Sequence, residues 1–235
     1  MIQKKATMVL SKQITVLLVE DHVVMRQGLC TLLTAEGHFR IVGEARTGRE
    51  AVEMVRALAP EVILMDIAMP VLNGLEATRQ ILAANPAAKV IVLSAYSEDA
   101  YVERMCAVGV VGFLEKQTSA DILAKAIRAV ANGKTFFSPA IARRLGDAPG
   151  RLLDRNGLPK PNGRRLTSRE SEVLQLVAEG AANKQVAAEL NISIKTVEKH
   201  RQHLMDKLKI HDTAGLTRYA IAAGIVESSV QLTII

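Results

Sequence analysis

Cysteine is scarce: the 235-residue chain has two, Cys30 and Cys106, each inside an apolar stretch of helical period. That argues against a disulfide framework or a cysteine-built metal site, and the expectation is two buried free thiols. No apolar run approaches the roughly 18 residues that a membrane-spanning helix needs. The first 13 residues carry lysines but no continuous apolar stretch and no small-residue cleavage site, so they do not read as a signal peptide. No internal repeat or low-complexity tract occurs. Hydrophobic residues make up 49% of the chain, which excludes global disorder, and the length suits one large domain or two small ones. The expectation is a soluble cytoplasmic protein without a membrane partner.

The net charge of +6 is unevenly spread. Residues 14–140 hold 12 Lys/Arg against 14 Asp/Glu, whereas residues 141–235 hold 15 against 10. An acidic front and a basic back suggest two jobs, the second with nucleic acid. The basic excess is concentrated, however, in residues 143–169, which hold 8 basic and 2 acidic side chains. Bulk charge alone therefore says little about DNA.

The front half alternates short β-rich runs (15–19, 39–43, 62–65, 90–93 and 112–114) with helical patterns near 23–35, 48–58, 73–84, 99–108 and 119–132. Five such βα units predict a doubly wound, five-stranded parallel α/β sheet with its active face at the carboxyl ends of the strands. Three Pro and four Gly then break any period over 146–165, a linker signature, with a helical turn expected near 141–145. Beyond it the pattern is helical only. Thr167 to Glu170 is a capping-box signature, and Ser193 and Asp212 can cap later helices. The short connection Asn191-Ile192-Ser193 is what a helix-turn-helix requires. The expected division is 14–135, a helical turn and linker over 136–165, and a small four-helix all-α domain over 166–228.

Carboxylates sit where strands end: Glu20 and Asp21 after the first, Asp66 after the third. In a parallel sheet those ends are neighbours, and clustered carboxylates repel unless a hard cation such as Mg²⁺ neutralises them. Ser94 ends the fourth strand and Lys116 follows the fifth. A divalent ion, a carboxylate nucleophile, a hydroxyl and an ammonium are the parts needed to receive a phosphoryl group. A hydrolase working through an aspartyl-phosphate would want a second Asp two residues after the nucleophile, and Ala68 stands there.

Leu18-Val19-Glu20-Asp21-His22, the run Leu64 to Pro70 with Asn73-Gly74 behind it, Val92 to Ala95, and Gly112 to Lys116 together resemble a response-regulator receiver domain. The resemblance implies a flavodoxin-like fold, Asp66 as phosphoacceptor, Glu20, Asp21 and the Ala68 carbonyl with Asp66 at an Mg²⁺ site, Ser94 as switch hydroxyl and Lys116 as phosphate-binding lysine. It also implies Phe113 as the switch aromatic, turning inward on activation. Two departures stand out: Gln117 follows the lysine where many receivers have Pro, and Phe113 lacks the hydroxyl of the commoner Tyr. Tyr96 flanks the phosphosite with Ala68.

In the back half, Lys195, Glu198, Lys199 and Gln202 form an i, i+3, i+4, i+7 row on the helix after the tight turn, opposite an apolar stripe of Ile194, Val197, Leu204, Met205 and Leu208. Such a row fits the major groove, with Thr196 and Arg201 placed for phosphate contacts. From Leu166 to Leu208 the pattern resembles the LuxR/GerE-type DNA-binding domain. That resemblance implies base reading by Glu198, Lys199 and Gln202 and a dimer contact on the fourth helix, around residues 213–223. Glu198 departs in charge from the basic residue often found there. The whole chain resembles a two-component response regulator of the NarL/FixJ type. This implies a transcription regulator rather than an enzyme, with a sensor histidine kinase and double-stranded DNA as partners and a homodimer once phosphorylated. An interaction protein that has lost DNA binding is the competing expectation.

Overall fold

The computed structural model describes residues 13–95, 99–145 and 166–226. Tyr96 and the linker at 146–165 lie outside the described residues. Apolar runs and amphipathic stretches alternate as β1 (Ile14–Val19), α1 (Val23–Ala35), β2 (Phe39–Ala45), α2 (Gly48–Leu58), β3 (Val62–Asp66), α3 (Gly74–Ala84), β4 (Val90–Ser94), α4 (Asp99–Val108), β5 (Gly112–Glu115) and α5 (Ala120–Ala131). Every residue of β3 and β4 is buried, because helices cover both faces of the sheet. One apolar layer joins α2, α3 and α4 to the sheet, and the other joins α1 and α5 to the opposite face.

The strand order is β2-β1-β3-β4-β5-β6, and all pairings are parallel. The chain leaves β1 on one side to make β2 and returns on the other to make β3. The carboxyl ends of β1 and β3 therefore flank the crevice where the order reverses.

The expected five-stranded sheet has a sixth strand, β6 (Phe136–Phe137), paired with Gly112 and Phe113, followed by α6 (Pro139–Leu145). Ile141 of α6 is fully buried in the same core as Val102, Met105 and Phe113. A strand of two residues has no period to read, so 136–145 looked like the start of the linker. Two adjacent phenylalanines half-buried along the free edge of β5 are the physical reason that it is sheet. The two cysteines are free but half-buried rather than fully buried.

The second part is α7 (Ser168–Ala178), α8 (Asn183–Glu189), α9 (Ile194–Leu208) and α10 (Thr213–Ala222) around one apolar core. Thr167 Oγ1 accepts from Glu170 N–H at 3.2 Å while Glu170 Oε2 accepts from Thr167 N–H at 2.8 Å, a complete capping box. Ser193 Oγ and Asp212 Oδ1 cap α9 and α10 in the same manner. Asn191 takes φ +51° in the turn between α8 and α9, a conformation that asparagine tolerates. The apolar stripe of α9 is buried at Val197 and Leu204, but Ile194, expected inside, is 45% exposed. It sits at the first turn, beyond the edge of the small core. Helix α7 lies against α3 and the β3–α3 loop: Gln80 Nε2 donates to Glu172 Oε1 at 2.7 Å, and Arg79 Nη2 to Ser168 Oγ at 2.6 Å.

Candidate functional site

Parallel register brings the ends of β1, β3, β4 and β5 together. Glu20 and Asp66 are 1% and 2% exposed at the crevice floor. Lys116 Nζ lies 2.8 Å from Asp66 Oδ2 and 2.9 Å from Glu20 Oε2, bridging the two buried carboxylates. The Lys116 backbone is fixed by its N–H, which donates to the Ser94 carbonyl at 2.8 Å. Burial raises the Asp66 carboxyl from 3.8 to about 6, with Glu20 adding to the rise and Lys116 opposing it. For Lys116, burial alone would favour the neutral amine, but the Asp66 and Glu20 carboxylates outweigh it and leave the ammonium raised.

Glu20, Asp21, His22 and Asp66 each place one ligand-type atom within 4.8 Å of the others. Glu20 Oε2, Asp21 Oδ1 and Asp66 Oδ2 receive no well-directed hydrogen bond, only ion-pair contacts from Lys116 or His22. Buried carboxylate lone pairs of this kind fit a hard divalent cation with oxygen ligands. Ala68 sits half-buried two residues beyond Asp66, and Ser94 is buried at the end of β4. Phe113 is not part of this cluster. It is fully buried in the core below β5, so the side chain expected to turn inward already faces inward.

Three residues near the site escaped the sequence reading as functional parts. His22 Nδ1 is 3.0 Å from Glu20 Oε1, and it was legible only as a letter of the motif. Buried Arg26 donates to the Glu20 carbonyl at 2.7 Å and to the Asp21 carbonyl at 3.3 Å, positioning the acidic turn. A buried arginine on an amphipathic helix looks like a surface residue until its partners are known. Gly74 N–H donates to the Ile67 carbonyl at 2.8 Å and ties the start of α3 beneath Asp66.

On α9, Lys195, Glu198, Lys199 and Gln202 are exposed along one face, as the spacing required. Thr196 is half-buried, with its hydroxyl 2.8 Å from Ser193 Oγ. Arg201 is not held outward: Nη1 donates to Asn183 Oδ1 and Nη2 to Thr213 Oγ1, both at 2.9 Å, so it braces α8 and α10 against α9.

Residues 16–128 match the response regulator receiver domain family, and residues 164–220 match the bacterial regulatory proteins of the luxR family. The chain is 35% identical over 211 residues to the transcriptional regulatory protein DegU of Brevibacillus brevis, covering 85% of this chain and 89% of the relative. It is 34% identical over 214 residues to the response regulator protein VraR of Staphylococcus aureus, covering 91% and 99%. The chain belongs to the LuxR-type response regulators. Among solved structures, this response regulator is similar to RcsB of Salmonella typhimurium, with a TM-score of 0.54 and 27% identity over 88% of this chain and 98% of that one. A structure of the RcsB–DNA complex matches with TM-score 0.54, 26% identity and the same coverage. The response regulator thus joins a receiver domain, a class that uses Mg²⁺ at an acidic pocket, to a LuxR-type DNA-binding domain of a transcription regulator. Among the described residues, no helix is long and apolar enough to cross a membrane.

Proposed function

We propose that this response regulator is switched by phosphorylation of Asp66 and then acts on transcription as a dimer on DNA. The observation that carries the reading is the convergence of Asp66, Glu20 and Lys116, with the Asp66 carboxylate buried beside an ammonium that can offset the charge of an arriving phosphoryl group. A sensor histidine kinase is the donor. The Asp66 carboxylate attacks phosphorus, the P–N bond to the phosphohistidine breaks, and its electron pair returns to the imidazole. Glu20, Asp21, Asp66 and the Ala68 carbonyl would hold Mg²⁺, whose charge offsets that of the phosphoryl oxygens. Lys116 binds a phosphoryl oxygen, Ser94 donates its hydroxyl to another, and the β4–β5 surface above Phe113 responds.

The receiver, expected over 14–135, takes in β6 and α6 as well, and the DNA-binding domain is 166–228 beyond the linker. On DNA, Lys195, Glu198, Lys199 and Gln202 face base edges and Thr196 lies at the flank of the contact, while Arg201 braces α9 against α8 and α10. Helix α10 supplies the dimer contact, as suits paired half-sites. The protein works in the cytoplasm and turns over no substrate beyond its own phosphoryl group. Intact-protein mass after incubation with Mg²⁺ and acetyl phosphate tests the switch, with Asp66→Asn alongside and both samples run on a sizing column. One added phosphoryl group in the wild type alone, with a shift to dimer, is the expected result. No uptake by the wild type removes the reading.

A further inference from the structure

Val71 has φ +70°, a left-handed backbone that a β-branched residue avoids because its Cβ crowds the neighbouring carbonyl. Leu72 N–H donates to the Pro70 carbonyl at 2.8 Å and closes a three-residue turn around it, and the other domain adds its own contacts. The Val71 N–H donates to both carboxylate oxygens of Glu179, at 3.2 and 3.3 Å, and its side chain packs against the apolar core of α7–α10. Two residues on, Asn73 N–H donates to Gln175 Oε1 at 2.8 Å, and Asn73 Nδ2 donates to the Ile225 carbonyl at 3.1 Å. Gln175, 1% exposed, returns a bond from Nε2 to the Met69 carbonyl at 2.8 Å.

The other end of this loop is the phosphosite. Ile67 N–H donates to Asp66 Oδ1 at 2.7 Å. Residues 67–73 are therefore fastened to Asp66 at one end and to α7 along their length. In the same docked arrangement, Lys195, Glu198, Lys199 and Gln202 stand exposed. A contact built to hide the DNA-reading row would cover it, and this one grips the loop behind Asp66 instead.

We propose that docking of α7 on the β3–α3 loop governs the phosphosite rather than access to DNA. The docked chain presents its recognition row to DNA. Undocking releases the loop from Glu179, Gln175 and Ile225, so that the residues behind Asp66 can rearrange. The inference rests on the reading of Asp66 as phosphoacceptor. Whatever factor the occupied phosphosite exerts on docking, docking exerts on phosphosite binding in return.

The test uses the full chain with two independent substitutions. Gln175→Glu keeps the size but turns the donor facing the Met69 carbonyl into an acceptor. Val71→Asp removes the apolar contact, tolerates the left-handed backbone and sets a carboxylate near Glu179. Melting curves establish that both variants fold. Docking is read by joining Gln80→Cys to Glu172→Cys with a short bis-maleimide, after Cys30 and Cys106 are changed to Ser. The cross-link is expected to form, with its yield falling about fivefold in either loop variant. Phosphoryl uptake from acetyl phosphate with Mg²⁺ is expected to quicken about three- to tenfold in each variant, because the loop behind Asp66 no longer has to shift against its bonds to α7 on the way to the transition state. Affinity for a labelled random-sequence duplex of about 30 base pairs is expected to stay within about twofold. An absent cross-link, unchanged uptake in both variants, or a tenfold or greater gain in DNA affinity on undocking overturns the inference. No uptake by the wild type overturns the phosphoacceptor reading and this inference together, whereas wild-type uptake that neither variant alters overturns this inference alone.

Discussion

A Cβ placed on Gly74 would lie 1.9 Å from the backbone carbonyl oxygen of Asp66. Neither partner is the movable end of a side chain, so α3 can start under the phosphosite only with a glycine. Gly74→Ala is expected to cost about 3 kcal/mol of stability through overpacking. It should also abolish phosphoryl uptake, because the Ile67–Gly74 bond that shapes the loop is pushed apart. Denaturant unfolding and intact mass check the two effects separately.

Burial first, and Glu20 next, raise Asp66 from 3.8 to about 6 against the pull of Lys116. Because the folded value lies above the unfolded one, the stability linked to the protonated carboxyl is complete below about 4 and lost as pH rises through about 6. Asp66→Asn, which resembles the neutral form, is therefore expected to stabilise the chelator-treated protein by about 1–3 kcal/mol near pH 7.5 and not at all near pH 4. Unfolding curves at both values decide it, and an equal gain at both would contradict the sign.

Lys116→Ala leaves two buried carboxylates facing each other without the ammonium between them. A loss of about 3 kcal/mol is expected near pH 7.5. The loss should shrink near pH 5, where Asp66 takes up a proton, and Mg²⁺ should restore part of it. Melting temperature against Mg²⁺ concentration is the measurement. A loss indifferent to both pH and Mg²⁺ would mean that Lys116 matters for its packing rather than its charge.

Lys199 and Arg201 should separate cleanly. Lys199 is exposed on the outward polar row of α9, so with base reading there Lys199→Ala should leave melting unchanged while weakening duplex binding. Arg201→Ala removes the braces to Asn183 and Thr213 and is expected to cost about 1–2 kcal/mol of stability. Melting curves beside anisotropy titrations at several salt concentrations test the pair.

Local chemistry made much of the fold legible. Helices α7 and α9 start where Thr167 and Ser193 can accept a bond from the residue three further on, and those caps are present. The meeting of Asp66 with Lys116 followed from topology, since parallel neighbours bring their carboxyl ends to one rim. What escaped was set by distant partners. Gln175 is a lone polar letter between Leu174 and Leu176 with nothing nearby in the chain to name its partner, and it is buried by a loop 102 residues earlier. Arg201 likewise read as a phosphate contact, because the two side chains that hold it lie on separate helices. The sixth strand was missed because two phenylalanines carry no period of their own.

Strand β6 also fixes how the halves are joined. Phe136 N–H donates to the Val111 carbonyl at 2.9 Å and Ser138 N–H to the Phe113 carbonyl at 3.0 Å, so the chain's last strand lies along the one that carries Phe113 before α6 ends the receiver. The C-terminal domain is thus leashed on one flank of the sheet and grips the molecule on another, beside Asp66. A released domain stays tied by the chain, so it meets the loop at an effective concentration on the order of millimolar rather than at its bulk concentration. Opening and reclosing is then a unimolecular event whose balance ignores how much protein a cell contains, whereas pairing with a second copy does not. Expression level would tune the dimer and leave the grip on the loop untouched.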